Sequence, residues 1–359
     1  MARKRKTLPK DFEEMLETAS LAELQAVFDT RELDARGGFQ KQTAIAFLEC
    51  PDELIEWLVE QGLDVDARDD SGRTPLAVRA MTVAPKPLAQ IPLLLSLSAN
   101  IEAPDQYGRT PLQNAAAGLR AEAVEVLLEH GAAVEGSDWT PTSMLKKAIA
   151  GTETAWIPQA VKVSRLLIER GANPQSDHGF FREEVERIGK SFEFHRGNFS
   201  SELYASTEAG LEELYEIFEV EPVARRVEYD GRSPIEVPSG RWQDQHEALW
   251  ELLVPSNGPA ATEQGEVIRI SGRVADEMLR NGGANWGRDF RAMVDRFREI
   301  LAGGNALPAP DLAELDALAG PLRDGTGETR ILNRMAELGV AWVAANPDPR
   351  PLGEVDYAR

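Results

Sequence analysis

Asp105-Gln106-Tyr107-Gly108-Arg109-Thr110-Pro111-Leu112, running on through Ala115-Ala116 to Val124-Glu125-Val126-Leu127-Leu128-Glu129-His130-Gly131-Ala132, decides the fold. Asp and Gly in the first half make a tight turn, where glycine takes a positive φ at no steric penalty. Thr110 is placed to cap a helix, and Pro111 suits its first turn. The paired leucines mark a second helix with one buried face. Gly131 then stops that helix with a left-handed cap.

The same order recurs on both sides. Upstream stand Asp70-Ser71-Gly72-Arg73-Thr74-Pro75-Leu76, then Leu93-Leu94-Leu95 and Ala99-Asn100-Ile101. Downstream, Asp138-Trp139-Thr140-Pro141 leads to Leu166-Leu167-Ile168-Glu169-Arg170-Gly171-Ala172-Asn173. A weaker copy runs from Thr43-Ala44 to Trp57-Leu58-Val59-Glu60-Gln61-Gly62-Leu63-Asp64-Val65. Self-similarity of this kind means stacked units that bury one continuous core. The Gly-x-Thr-Pro-Leu and Leu-Leu-x-x-Gly-Ala steps, at a period of about 33 residues, resemble ankyrin repeats. The resemblance implies an all-α solenoid of helix–turn–helix repeats with hairpin tips, expected as one cooperative array over residues 34–174.

Departures from the pattern carry information. Ser98 stands where a terminating glycine is expected. Extra residues around Met81–Pro87 and Gly151–Ile157 lengthen two repeats between their helices, and such insertions often lie on a working face. Phe12, Met15, Leu16, Leu21, Leu24 and Phe28 fall near helical spacing, which predicts a capping helix over Pro9–Asp29. Beyond Asn173 the pattern predicts helices over Phe180–Phe194 and Ala209–Glu219. Gly231-Arg232-Ser233-Pro234-Ile235 echoes the repeat turn, and reads either as a late repeat or as a new domain opening with a hairpin at Asp230-Gly231. Further helices are predicted over Trp242–Val254, Ala261–Asn281, Asp289–Leu301, Asp311–Leu318 and Glu328–Ala345, with a linker signal at Pro308-Ala309-Pro310. The expected organisation is a disordered basic tail (1–8), a repeat array with its cap (9–178), an irregular connection (179–240), a helical C-terminal domain (241–346) and a tail (347–359).

Charge narrows the function. The chain has 39 basic and 60 acidic residues, a formal net charge of -21. Phosphates repel such a surface, which speaks against nucleic acid and anionic membrane. It favours a protein partner with a basic face. Cys50 is the one cysteine, so no internal disulfide forms, and beside Pro51 it reads as a small buried hydrophobe. No run of about 18 apolar residues is present. A cytoplasmic location is expected.

The search for catalytic motifs returns no Gly-x-Ser-x-Gly elbow, Walker loop or His-Glu-x-x-His motif. His130, His178, His195 and His246 show no zinc spacing. No enzymatic activity, cofactor or metal is therefore expected. One helix carries Glu263, Glu266, Arg269, Arg273 and Glu277 three or four residues apart, followed by Asn281, Asn285 and Trp286. This reads as a solvated face of ion pairs; the alternative is a polar pocket or contact surface formed by Glu266, Arg269, Arg273 and Trp286, and a deep pocket there would favour an enzyme with its site in the C-terminal helices over a binding protein or general scaffold. The segment from Leu252-Leu253-Val254-Pro255-Ser256 through Gly265-Glu266 to Asn281-Gly282-Gly283-Ala284-Asn285-Trp286 resembles one that follows ankyrin repeats in bacterial proteins, some similar to immunity proteins of toxin systems. The repeat resemblance implies a wall of hairpin tips and first helices that contacts another protein. Asp70, Arg73, Tyr107, Arg109, Asn114 and Trp139 are the candidate contacts, with Tyr107 and Trp139 as anchors. Arg73 and Arg109 precede Thr in equivalent turns and fit a structural role equally well.

Overall fold

The computed structural model describes residues 3–136, 139–196, 199–227 and 229–357. Asp138, with which the downstream repeat opens, lies outside them, as do Met1, Ala2, Ala358 and Arg359 at the expected tails. The chain divides into two compact units, residues 1–191 with 201–223, and residues 192–200 with 224–359.

The first unit opens with β1 (Arg5–Thr7), α1 (Phe12–Thr18), α2 (Leu21–Thr30), β2 (Arg31–Gly37) and β3 (Gln42–Thr43). The expected single capping helix is broken because Ser20 starts a new one. Its hydroxyl accepts from the Glu23 amide while the Glu23 carboxylate takes the Ser20 amide, a reciprocal cap. Phe12 packs edge-on against Phe28 and Phe47. Within the expected disordered basic tail (1–8), Arg5–Thr7 pairs parallel with β2, and the Arg31 guanidinium donates to the Thr7 carbonyl.

The repeats follow as helix pairs. A short 3-10 turn (Ala44–Ala46) precedes α3 (Asp52–Glu60). Then come α4 (Pro75–Ala80), α5 (Pro85–Ala89) and α6 (Ile91–Ser96), α7 (Pro111–Ala117) with α8 (Ala121–Glu129), and α9 (Pro141–Ala150) with α10 (Ile157–Glu169). The threonines do what their positions predict. Thr74, Thr110 and Thr140 each accept an amide from the third residue of the following helix, and each is followed by proline. Leu58, Leu94, Leu127 and Leu167 are fully buried between helices. Gly62, Gly131 and Gly171 end their helices at positive φ, and Ser98 takes the same conformation, with φ 72°. The insertion after Met81 folds into α5, and the one after Gly151 into a 3-10 turn (Thr154–Trp156).

α11 (His178–His195), as far as Ser191, and α12 (Ser201–Phe218) extend this unit past the expected boundary at residue 178. Phe181, Val185 and Ile188 are buried, as are Leu211, Leu214 and Phe218. Phe181 stacks on Phe218 at 4.9 Å. The pair covers the apolar end that a terminal repeat would otherwise expose.

The second unit holds α13 (Trp242–Leu253), α14 (Glu263–Leu279), α15 (Arg288–Leu301), α16 (Ala309–Arg323) and α17 (Thr329–Ala345). The echo at residues 231–235 starts no helix; Asp230 accepts the amides of Arg232 and Ser233 in a turn, and Ile235 is buried in this unit's core. α14 is central, with Val267, Ile268, Ile270 and Val274 all fully buried. Gly339 of α17 lets the two helices meet, since a Cβ there would lie 2.9 Å from Val267 Cγ1. Residues 346–357 form a strap along α14, where a tail was expected. Gln264 Nε2 donates to the carbonyls of Asn346 and Asp348, and Gln264 Oε1 accepts from the Arg350 amide. Here a buried glutamine satisfies backbone groups of a Pro-containing segment that forms no helix or strand ladder of its own.

Candidate protein-binding surface

Two of the hairpin tips are each built around one carboxylate. Asp69 Oδ1 accepts the amides of Ser71 and Arg73 at 2.8 and 2.9 Å, and Oδ2 accepts Arg73 Nε at 2.9 Å. Asp105 repeats this with the amides of Tyr107 and Arg109, the Arg109 guanidinium, and Asn114 Nδ2 at 3.1 Å. Burial opposes the Asp105 charge, yet the bonds from Arg109, Asn114 and Tyr107 hold its pKa below the ordinary value. The structural equivalent of Asp105 is thus Asp69 and not Asp70, one residue off the register suggested by the sequence.

This geometry sorts the candidates. Asn114 is buried at 5% exposure and braces the turn through Asp105. Arg73 and Arg109 are tied to Asp69 and Asp105, although Arg109 also lies over the Tyr107 ring at 5.0 Å. Asp70 is exposed and pairs with Lys41 at 3.0 Å. Tyr107 projects from its tip, 71% exposed. Trp139 is half-buried, with Lys147 Nζ 5.6 Å from its ring centre.

One residue escaped the sequence reading. Phe39 sits between β2 and β3 and is 95% exposed, the most exposed of the large hydrophobic side chains described. Its signal was Gly37-Gly38-Phe39-Gln40-Lys41, a tip upstream of the Thr43 at which the weak first copy was begun. Hydrogen bonds join neighbouring tips. The Asp70 amide donates to the Gln40 carbonyl at 2.9 Å, Ser71 Oγ pairs with Gln40 Oε1 at 2.9 Å, and the Gln106 amide reaches the Ser71 carbonyl at 3.3 Å. Gly72 permits this approach, since a Cβ would lie 2.7 Å from the Gln106 amide nitrogen. Phe39 and Tyr107 therefore stand on one hydrogen-bonded row.

Tip and outer helix differ in charge. Lys41, Arg73 and Arg109 at the tips are matched by Asp70, Asp69 and Asp105. Glu53, Glu56 and Glu60 of α3 and Glu122, Glu125 and Glu129 of α8 are exposed, giving these two helices an acidic face, although Glu122 pairs with Lys162 of α10 at 3.1 Å. Arg120 links the two insertions: its Nε donates to the Met81 carbonyl, and its guanidinium lies 5.0 Å from the Trp156 ring centre.

The second candidate cluster is mostly closed. Glu266 and Arg269 are at 0% and 1% exposure, not on a solvated face. Glu266 accepts two bonds from Arg269, one from the Ala260 amide and one from the Tyr357 hydroxyl at 2.7 Å. Glu277 instead gathers the Asn285 amide and the Asn281 and Asn285 side chains. Arg273 is exposed. Trp286 stacks on Phe290 at 4.9 Å and donates to the Arg323 carbonyl. These residues do not form a shared pocket, because the strap covers Glu266 and packing occupies Trp286. Among the described residues, no group of three or more His, Cys, Asp or Glu is placed to hold a metal ion, and no helix is long and apolar enough to cross a membrane.

Residues 42–138 match the family model for ankyrin repeats, in 3 copies. Among solved structures, an ankyrin repeat domain from Acinetobacter baumannii AYE is similar, at 19% identity and a TM-score of 0.38, over 58% of this chain and 98% of that one. No curated protein matches the chain.

Proposed function

We propose that the ankyrin repeats of residues 42–138 serve a protein-binding module whose anchors are the tip aromatics Phe39, Tyr107 and Trp139. The observation that carries this reading is Phe39, 95% exposed on the tip row with Tyr107. An aromatic held in water on a hydrogen-bonded frame loses little conformational freedom when a partner covers it, and such residues dominate binding energies. Asp70 and Arg109 border the row as polar rim, while Arg73 and Asn114 hold its shape.

The partner's charge follows from the acidic faces of α3 and α8 and the net charge of -21, which favour a protein with a basic face over nucleic acid or membrane. In its sharpest form this is a cytoplasmic immunity or antitoxin-type protein that occludes a cationic toxin, with a general scaffold as the broader form. Catalysis has no part in this reading; Glu266 and Arg269, the polar pair best suited to chemistry, are sealed by Tyr357 and Ala260.

Affinity capture from the native host with the intact chain tests this. Proteins retained by the wild type are expected to be lost with a Phe39→Ala/Tyr107→Ala/Trp139→Ala variant. With a captured partner, single aromatic changes are expected to raise the dissociation rate, each costing about 2 kcal/mol when central to the interface. Added salt is expected to slow association, since the Debye length falls from about 30 Å at 0.01 M to about 8 Å at 0.15 M. An unchanged capture profile in the triple variant removes the tips as the binding surface. A captured basic toxin whose activity the protein suppresses supports the immunity form; a neutral partner excludes it.

A further inference from the structure

The second helices of three successive repeats, α3, α6 and α8, lie side by side in the first unit. Gln90, at the start of α6, donates through Nε2 to Asp52 Oδ1 of α3 at 2.5 Å and to the Cys50 carbonyl at 2.8 Å. Past the end of α6, the Asn100 amide donates to Asp66 at 3.1 Å. On the other side α6 packs on α8, and the Ala133 amide beyond α8 donates to Glu102 at 2.7 Å.

The middle helix differs from both neighbours. Gly62, Ser98 and Gly131 follow the three helices at positive φ and align them. Two, six and nine residues before that point, α3 carries Glu60, Glu56 and Glu53, and α8 carries Glu129, Glu125 and Glu122. The matching residues on α6 and just before it are Ser96, Pro92 and Ala89. A surface helix normally turns a polar face to water. Residues 91–97 hold no charge, yet only Ile91 and Leu94 among them are buried. The result is an open groove of about 490 Å³, lined by Pro92, Leu95, Ser96, Ala99, Ile101 and His130.

An apolar strip is thus framed by two rows of carboxylates. Among the described residues, Glu53, Glu56, Glu60, Glu125 and Glu129 form no ion pair. The cations that border these helices are committed elsewhere. Lys86 pairs with Glu49 at 3.3 Å and Lys162 with Glu122 at 3.1 Å. Arg170 donates to the Leu128 carbonyl at 3.2 Å, and Arg120 to the Met81 carbonyl at 3.0 Å. Packed helices lie about 8–10 Å apart, so the rows on α3 and α8 are separated by roughly 16–20 Å. A helix with its side chains is about 10–12 Å wide and fits between them. Its apolar stripe would cover the groove, and long cationic side chains on both flanks would reach the glutamates. An acidic or neutral helix would leave both rows unpaired.

We infer that this groove seats a basic amphipathic helix of a partner protein, its apolar stripe on Pro92, Leu95 and Ile101 and its Lys or Arg residues toward the glutamates of α3 and α8. The site uses no tip residue and shares with the proposed function only the partner's charge. The probe is a stapled helical peptide of about 14 residues, roughly 21 Å long, with Leu at i, i+3, i+4 and i+7 and Lys on both flanks. Binding is read by fluorescence anisotropy on the full chain, with a Kd expected below about 50 μM. A peptide of the same composition with its stripe scrambled, and one with Glu in place of Lys, are expected to bind at least about tenfold more weakly. Ser96→Arg, which puts a cation into the groove, and Glu56→Gln/Glu125→Gln, which opens both rows, are each expected to weaken the peptide about tenfold. Glu13→Gln/Glu14→Gln, which removes the same charge from α1, and Phe39→Ala/Tyr107→Ala at the tips are expected to leave it unchanged. Melting curves identify a variant that fails to fold; Glu56 and Glu125 are exposed, so the double variant decides if Ser96→Arg does. The inference is overturned if the scrambled peptide binds as tightly, if the α1 or tip variant weakens binding as much as the groove variants, or if folded groove variants bind unchanged. A dimer that Ser96→Arg disperses would make a second copy the occupant and overturn it as well.

Discussion

Tyr357→Phe removes one oxygen atom from the second unit, and its effect can be worked out from the surroundings of Glu266. The hydroxyl donates to Glu266 Oε1 at 2.7 Å in a site where Glu266 is at 0% exposure and Tyr357 at 6%. A hydrogen bond to a charged group contributes about 1.5–3 kcal/mol. Phenylalanine keeps the ring in place beside Arg269, whose guanidinium lies 5.8 Å from the ring centre, so no cavity term is added. Glu266 retains Arg269 and the Ala260 amide, which places the loss near 2 kcal/mol. Glu266→Gln is more severe, at about 3–5 kcal/mol, because it takes the carboxylate charge away from a buried ion pair. Burial first, then the bond to Glu266, pushes the Tyr357 pKa well above its ordinary value. A raised pKa means that the folded state favours the protonated phenol. This stabilisation is complete below the unfolded value of about 10 and is lost as pH rises beyond it. The assay is urea denaturation at pH 7 and above pH 10, with amide exchange of α14 and the strap reporting on this unit. The advantage of the wild type over Tyr357→Phe should shrink at the higher pH. A loss below about 0.5 kcal/mol at pH 7, with exchange of α14 unchanged, would refute the idea that the strap is held by this bond.

Other outcomes follow for the first unit. Leu127→Ala should cost about 2–5 kcal/mol in denaturant melts, since Leu127 is fully buried between repeats. Ser98→Gly should stabilise by roughly 0.5–1 kcal/mol: it relieves a left-handed residue at φ 72°, partly offset by the freedom glycine gains in the unfolded chain. A thermal melt with no upward shift would count against it. Cys50 should resist an aromatic disulfide reagent at neutral pH until the repeats open, because burial pushes its pKa up to about 12; rapid labelling of native protein would contradict that.

The repeats were legible because each step of the motif is local. Thr74, Thr110 and Thr140 cap helices within three residues of themselves, and the glycines act on the turn in which they sit. Ser98 was recognised as a glycine stand-in for the same reason. What was missed depends on distant partners. Charge spacing alone placed Glu266 and Arg269 on a wet surface, and only Tyr357, 91 residues away, shows that they are buried. The disordered reading of Arg5–Thr7 failed because its pairing strand begins at Arg31. At the candidate surface, Tyr107 and Trp139 could be found from the motif, whereas Phe39 stood outside the part of the first repeat that matched. Asn114 has the polarity of a contact residue, but its amide is spent on Asp105.

The strap also sets an order of events during synthesis. A repeat contacts mainly its neighbours, so a helix pair can settle once the next has been made. α14 has no such freedom. Gln264 and Glu266 must wait for partners 82–91 residues further along the chain, which at about 5–20 residues per second is a delay of roughly 5 to 20 seconds. Over that interval α14 presents a carboxylate and an amide that belong in the interior, and its apolar face lacks its cover. The first unit is thus the part of the nascent chain suited to early folding, and the second is the part that a chaperone or a protease would meet open.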